Sequence, residues 1–98
     1  TGFEQTGNNN PTEYSLEQNY PNPFNPNTNI RFQIPEDGYV TLKVYNITGQ
    51  ETAELINSRL TAGNYNIDFN AANLSSGVYF YRIETARYSE TRKMTLIK

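Results

Sequence analysis

From residue 29 onward, apolar and polar side chains alternate along most of the chain. Ile30, Phe32 and Ile34, for example, are separated by single polar residues. A period of two places alternate side chains on opposite faces of a β-strand, and no segment longer than one turn follows a helical period. The alternation predicts strands at residues 29–34, 40–45, 51–57, 65–69, 78–83 and 93–97, with residues 14–17 as a candidate seventh. Strands at this spacing are typical of an all-β sandwich or barrel.

Turn residues indicate where the chain reverses. Residues 35–38, Pro-Glu-Asp-Gly, predict a tight turn that makes the second strand antiparallel to the first. Residues 48–49 predict another turn, and a loop that ends at Gly63 precedes the most regular strand. Residues 86–89 predict a further hairpin. Residues 71–77 are long enough to cross between two sheets.

The predicted strand after that crossover is apolar on both faces. Tyr79, Tyr81 and Ile83 lie on one face, and Val78 and Phe80 lie on the other. A strand with two apolar faces is usually central in its sheet, or has one face that makes a contact.

Residues 16–28, LEQNYPNPFNPNT, form a segment rich in proline and asparagine, which we call the proline-rich segment. Proline restricts backbone conformation, and asparagine side chains bond nearby backbone groups. Tyr20 and Phe24 are both expected to anchor the segment through their rings. We therefore predict a stiff arch over one end of the fold, and a loop that only caps the core is the alternative. The residues of this structural motif are Tyr20, Pro21, Pro23, Phe24 and Pro26, with Gly49 and Gly63 at turns.

The first residues of the chain carry little that could be buried. Residues 1–12 contain two glycines, three consecutive asparagines, a proline and a single apolar residue, Phe3. This composition is typical of a linker. We predict a linker or N-terminal extension at residues 1–13 and one folded domain at residues 14–98.

Composition argues against catalysis. The chain has no cysteine and no histidine, so it lacks a thiolate nucleophile, the usual general base and the commonest metal ligand. Glu51 and Glu54 are expected on opposite faces of their strand, where they cannot act as a pair. No glycine-rich phosphate loop or calcium-loop spacing occurs. We predict a protein that is not an enzyme and that uses no cofactor or metal.

Charge and hydropathy limit the classes of partner that the chain could bind. The net charge is −2 without a dense stripe of Lys and Arg, which argues against nucleic acid. No apolar run approaches the roughly 20 residues of a membrane helix, and no signal peptide opens the sequence. Several tyrosines fit either core filling or a platform that stacks on sugar rings. They are Tyr39, Tyr45, Tyr65, Tyr79, Tyr81 and Tyr88.

A series of short motifs runs through the domain in one order. They are LEQNYPNPFNP at residues 16–26, the spaced Thr28, Ile30, Phe32 and Ile34-Pro35, VYN at 44–46, GQE at 49–51, Gly63 with Tyr65, LSSGVYFYR at 74–82, and KM-x-L-x-K at 93–98. Together they resemble the type A C-terminal sorting domain of the type IX (Por) secretion system, found on exported proteins of Bacteroidota and related phyla.

This resemblance implies an immunoglobulin-like antiparallel β-sandwich of about seven strands that acts as a non-catalytic signal. Its partners would be the type IX translocon, a sortase-like peptidase and an N-terminal cargo protein. The cargo would pass the periplasm and reach the extracellular space or the outer-membrane surface, attached there to lipopolysaccharide or released. Cleavage would fall within residues 1–12. By the same resemblance, the translocon would recognise Gly77, Lys93, Met94 and Lys98.

Two alternatives stay open at this point. Gly77 could simply form a turn, Met94 could belong to the core, and the lysines could keep an edge strand soluble. Because no cargo precedes the domain in this sequence, the chain could also be an excised piece or a finished product. In the second case it would be a subunit of an extracellular filament, in which the N-terminal segment adds to the sheet edge of a neighbouring copy.

Overall fold

The fold is an antiparallel β-sandwich of two sheets, as the alternating pattern predicts. The computed structural model describes residues 3–6 and 11–98. Its strands are β1 (Phe3–Thr6), β2 (Ser15–Leu16), β3 (Asn27–Ile34), β4 (Gly38–Tyr45), β5 (Glu51–Leu60), β6 (Gly63–Asn70), β7 (Gly77–Glu84) and β8 (Ser89–Leu96). The first sheet has the order β1-β6-β3-β2 and the second β5-β4-β7-β8. Seven strands therefore lie within residues 11–98, and β1 precedes them.

Inward-facing apolar side chains of both sheets form one core. β3 contributes Ile30, Phe32 and Ile34, and each is at most 2% exposed. The rings of Phe32 and Tyr65 stack between the paired strands β3 and β6, with centroids 5.3 Å apart. Each fully buried side chain of this size contributes about 1.5–3 kcal/mol to folding. The alternation in the sequence therefore identifies the surface that holds the sandwich together.

The prediction that the first two long strands form a hairpin is wrong. The turn at residues 35–38 lies where predicted, but β3 belongs to the first sheet and β4 to the second. β3 pairs with β6, and β4 pairs with β5 and β7. A short turn can either close a hairpin or carry the chain across the sandwich, and only the positions of the other strands decide between the two.

The predicted crossover and the central position of β7 are both confirmed. The chain leaves the first sheet at the end of β6 and enters the second at β7, through the connection expected to cross between sheets. β7 lies between β4 and β8. Tyr79, Tyr81 and Ile83 are buried, and Phe80 is half-buried on the outward face.

The prediction that Glu51 and Glu54 lie on opposite faces of their strand, β5, is wrong. The pairing of β5 with β4 shifts register twice, between Leu42 and Lys43 and again between Val44 and Tyr45. Each extra residue reverses which face the following side chains take. Only the second shift, which leaves Thr52 unpaired, lies between the two glutamates, and it puts both near the amino group of Lys43, at 3.4 Å for Glu51 and 3.9 Å for Glu54.

The N-terminal segment contains a strand as well as linker-like sequence. β1 runs antiparallel to β6 at the edge of the first sheet, with Thr6 opposite Asn64. Asn64 in turn lies opposite Gln33, and Gln33 opposite Ser15. β1 therefore ends in the same row of residues in which β2 begins. The domain boundary after residue 13 stays a prediction.

Candidate functional site

The proline-rich segment joins the two sheets along one side of the sandwich. Tyr20 exchanges two backbone hydrogen bonds with Asn29 of β3, at 3.0 and 2.9 Å. Four residues later, the N–H of Phe24 donates to the carbonyl of Thr95 at 3.0 Å, and the N–H of Ile97 donates to the carbonyl of Phe24 at 2.9 Å. The segment thus pairs with the first sheet at Tyr20 and with the C-terminal strand at Phe24.

Side chains of the segment occupy more of the free edge of β8. The Gln18 amide donates to the carbonyl of Lys93 at 2.8 Å, and the N–H of Thr95 donates to the Asn22 side chain at 3.0 Å. β8 is the edge strand of the second sheet, and an open edge offers unpaired backbone groups to other chains. Here the backbone groups of residues 93, 95 and 97 bond to the proline-rich segment instead.

A buried polar cluster holds the start of the segment. The Tyr81 hydroxyl donates to the carbonyl of Glu17 at 2.7 Å and accepts from the N–H of Asn19 at 2.8 Å. The Asn19 amide donates to the Thr28 hydroxyl at 3.0 Å and to the Pro21 carbonyl at 3.1 Å. Asn19 is 2% exposed, so these bonds replace the water it has lost. Burial raises the pKa of Tyr81 to about 12.

The two aromatic rings of the segment have opposite environments. Phe24 is 2% exposed and packs against Phe69, with ring centroids 6.3 Å apart. Tyr20 is 80% exposed. The prediction that both rings anchor the segment is therefore correct for Phe24 and wrong for Tyr20. The backbone of Tyr20 pairs with β3, and this pairing directs its ring outward.

The prolines of the motif lie between these anchoring points. The peptide bonds before Pro21, Pro23 and Pro26 are cis. The carbonyls of Pro21 and Pro26 accept hydrogen bonds, from Thr28 at 2.9 Å and from the N–H of Ala71 at 2.8 Å. The proline carbonyls therefore take part in holding the segment, although proline itself has no N–H to donate.

Two of the residues predicted for translocon recognition lie together at one end of the β7–β8 pair. Gly77 is opposite Leu96, and Lys98 follows two residues later. The Lys98 N–H donates to the Ser76 hydroxyl at 3.0 Å, and its amino group donates to the Ala72 carbonyl at 2.5 Å. Gly77 has φ +154°, which disfavours other residues, although a side chain there would meet open space.

The other two predicted residues are neighbours on β8 but face opposite ways. Lys93 is exposed and lies opposite Phe80 on the outward face. Met94 is 0% exposed and lies opposite Tyr79 in the core. The arrangement brings Lys93, Lys98 and Gly77 to one hairpin, while Met94 is buried in the core of the folded domain.

The two turn glycines of the motif lie where the chain reverses. Gly49 has φ +88° in the turn between β4 and β5, a conformation that favours glycine. Gly63 begins β6 opposite Ile34.

Sequence reasoning missed the part that Tyr81 and Asn19 play together. The alternation correctly places Tyr81 on the inward face of its strand. The backbone N–H that bonds to its hydroxyl, however, belongs to Asn19, which is 62 residues away in the sequence, and no local pattern connects the two residues. The one signal in the sequence that could have indicated this contact is Asn19, a polar residue in a segment that has to bury polar groups.

The tyrosines that could have formed a sugar platform are dispersed. Tyr65, Tyr79 and Tyr81 are buried in the core, and the half-buried Tyr88 stacks on Tyr14 with centroids 5.1 Å apart. Tyr39 is 54% exposed on β4. These positions favour core filling for most of the set.

Residues 3–6 and 11–98 show neither a metal-binding cluster nor a membrane-spanning helix. Within these ranges, no cluster of three or more Asp, Glu, His or Cys side chains could hold a metal ion. The same residues contain no helix that is long and apolar enough to span a membrane.

Comparison with known proteins identifies a family and a solved structure with a similar fold. The family described as the secretion system C-terminal sorting domain matches residues 18–98. The fold resembles a structure of PorZ, an essential bacterial surface component of the type IX secretion system of Porphyromonas gingivalis, with a TM-score of 0.57 and 19% identity. That alignment covers 87% of this chain and 11% of PorZ, so the chain spans only a small part of its length. No curated protein matches.

Proposed function

The chain belongs to the family of secretion system C-terminal sorting domains, and from this premise we propose that it carries a protein joined to its N-terminal side through the type IX translocon. The family is a non-catalytic targeting signal, and its type IX signal implies export to the cell surface or the extracellular space. The proposal adds the passage through the periplasm, removal of the domain by a sortase-like peptidase, and attachment of the cargo to the surface.

We place the recognised surface at the open end of the β7–β8 hairpin, where Gly77 and Lys98 lie, and on the neighbouring Lys93. The observation that carries this proposal is that Lys93 is exposed on β8 and Lys98 is exposed just after it, while the free edge of β8 is already occupied by the proline-rich segment. A partner that meets this side of the folded domain therefore contacts side chains on and next to β8, because the backbone edge of β8 is occupied. Two lysines without a carboxylate within 4 Å among the described residues suit an acidic partner surface.

Met94 takes a structural part in this proposal. Its side chain is 0% exposed, so it supports recognition by holding β8 against the core. Gly77 similarly supports the backbone conformation at the start of β7, next to Lys98. The partner would thus contact the two lysines directly. Met94 and Gly77 would maintain the conformation of the hairpin.

An export assay tests the lysines. A signal peptide and a fluorescent reporter are fused before residues 1–98 and expressed in a bacterium with a working type IX system. We expect the Lys93→Ala/Lys98→Ala variant to keep its melting temperature and to lose most export, because both side chains are exposed. The matched control is Arg59→Ala/Arg87→Ala, which removes one exposed positive charge on β5 and one in the turn at the opposite end of the β7–β8 hairpin from Lys98, and it should export normally.

Three outcomes of this assay have definite meanings. Full export of the lysine variant would overturn the recognition surface. Equal loss in the arginine control would show that net charge alone matters, and would overturn it too. If the unaltered fusion stays in the periplasm while a known sorting domain exports, the sorting proposal itself fails. The N-terminus of any released domain, measured by mass spectrometry, tests cleavage within residues 1–12.

The filament hypothesis has less support. β1 pairs with β6 of its own chain and so already occupies one edge of the first sheet. A donated strand would have to displace β1 before two copies could join there. The family membership and this intramolecular pairing both favour sorting.

A further inference from the structure

The outward face of the first sheet carries a compact set of polar side chains around one exposed ring. On adjacent strands β3 and β6, Asn29 lies opposite Asp68, and Arg31 lies opposite Asn66. Tyr20 extends the first of these rows through its pairing with Asn29. The N–H of Glu17 donates to the Arg31 carbonyl at 2.9 Å and so extends the second row. The alternation that buries Ile30 and Ile67 directs these neighbours to the opposite face.

Tyr20 divides this face into two depressions. One has a volume of about 320 Å³ and is lined by Glu17, Gln18, Tyr20, Asn29, Arg31 and Asn66. The other has a volume of about 480 Å³ and shares Tyr20 and Asn29 with the first. Both volumes fall in the range of small-molecule sites, roughly 300–1,000 Å³. The ring therefore forms a wall common to two adjoining cavities.

The ring is exposed but its support is rigid. A single exposed aromatic residue is ordinary on a protein surface and by itself indicates nothing. Here, however, the backbone of Tyr20 bonds to Asn29 on both sides, and its neighbour Asn19 is buried and bonded to Thr28. Because the backbone that carries the ring is already held, it does not have to be ordered when a ligand packs on the ring.

The floor of the smaller depression contains an unsatisfied acceptor. The side-chain oxygen of Asn66 is buried and has no hydrogen-bond partner among the described residues. A buried acceptor without a partner is unfavourable, and the Asn66 side chain that carries it lines the depression in which a ligand would lie. Arg31, next to it, forms no ion pair with a described carboxylate and keeps its donors available.

From these observations we propose that the outward face around Tyr20 binds a neutral saccharide chain. The apolar face of a sugar ring packs on the Tyr20 ring, and hydroxyl groups on either side meet the amides, the Arg31 guanidinium and the Asp68 carboxylate. Hydroxyls both donate and accept, and this face offers both kinds of partner. Two cavities that share one aromatic wall suit consecutive sugar units. The proposal stands apart from the sorting function, because the face lies on the first sheet and Lys93 lies on the second.

A nuclear magnetic resonance titration of residues 1–98 tests the proposal. The probes are glucose, mannose and N-acetylglucosamine hexasaccharides, together with the lipid-free polysaccharide of lipopolysaccharide from a bacterium with a type IX system. We expect at least one probe to shift the backbone amide signals of Asn29, Arg31 and Asn66. Binding of the polysaccharide alone would identify the cell's own surface as the source, and binding of a hexasaccharide would identify free glycans.

Variants then locate the site. Tyr20→Ala should keep the melting temperature and weaken binding about tenfold or more, since the ring supplies the stacking surface. Arg31→Ala tests the same face without altering the ring and should also weaken binding. The matched control is Tyr39→Ala, which removes another exposed tyrosine, on the second sheet. It should bind like the unaltered chain.

The proposal is overturned if no probe shifts these signals, or if Tyr20→Ala binds as well as the unaltered chain. Equal weakening by Tyr39→Ala would also overturn it, because binding would then not be localised. If no saccharide binds but Tyr20→Ala stops export of the reporter, the face contacts a protein, and the saccharide proposal is again overturned.

Discussion

The proline-rich segment and the turn at residues 46–50 are both irregular, asparagine-containing stretches, yet they are ordered by different means. In the turn, the Asn46 side chain accepts from the N–H groups of Thr48 and Gln50, each at 3.0 Å, and from the Thr48 hydroxyl at 2.7 Å. In the proline-rich segment, the Asn22 side chain instead accepts from Thr95, 73 residues away. One stretch is ordered by itself, and the other by strands that are distant in sequence.

This difference predicts which irregular stretch can be substituted with little loss of stability. The turn borders solvent, and its hydrogen bonds compete with water, so each contributes modestly. The proline-rich segment contributes Phe24 to the core and Asn19 to a buried polar cluster. Its contacts are therefore part of the sandwich, although it contains little regular strand.

The largest effect is expected from Phe24→Ala. Removing the ring leaves a cavity against Phe69 and weakens the hold of the segment on β8. We expect a loss of about 3–5 kcal/mol in the free energy of unfolding, measured by urea denaturation. Tyr20→Ala, in the same segment, should change it by less than about 0.5 kcal/mol because that ring is exposed. A loss below about 1 kcal/mol for Phe24→Ala would contradict the view that the segment belongs to the core.

An intermediate effect is expected from Tyr81→Phe. The variant leaves the Glu17 carbonyl and the Asn19 N–H without their partner, at a cost of about 1–3 kcal/mol. Because burial raises the pKa of Tyr81 to about 12, from about 10 in the unfolded chain, its stabilisation is complete below pH 10 and is lost between pH 10 and 12. Urea denaturation across this range should show the unaltered chain losing stability faster than the variant.

Tyr88 serves as the internal reference for that measurement. Burial, followed by its hydrogen bond to Glu90, raises the pKa of Tyr88 to about 12 as well. Its contribution is present in both proteins and cancels when the two curves are subtracted. A difference between the curves that stays constant from pH 9 to pH 12 would contradict the assignment to Tyr81.

The smallest effect is expected from Asn46→Ala. The turn loses an acceptor that serves three donors, but water can replace it, so we expect a loss of about 1 kcal/mol or less by urea denaturation. Asn46→Asp keeps the acceptor and should recover most of the loss. A loss as large as that of Phe24→Ala would remove the distinction between a self-ordered turn and a segment ordered by the core.

Much of the fold could be predicted from the sequence because burial in a strand has a period of two. Ile30, Phe32 and Ile34 are buried as the alternation indicates, and Gly49 lies in the predicted turn. The short motifs identify the family over residues 18–98. These features depend on neighbours within a few residues, and a sequence displays such relations directly.

Tertiary structure alone decided which strands share a sheet, where register shifts, and which residues of the candidate sites come together. β3 and β4 belong to different sheets although a tight turn joins them, and a bulge between Glu51 and Glu54 in β5 brings both glutamates to one lysine. Tyr20 and Phe24 carry similar rings four residues apart, yet one is 80% exposed and the other 2%. Their environments are set by backbone hydrogen bonds to β3 and to the C-terminal strand β8, both of which follow the segment in the sequence. The composition of the segment does not determine which strands it pairs with.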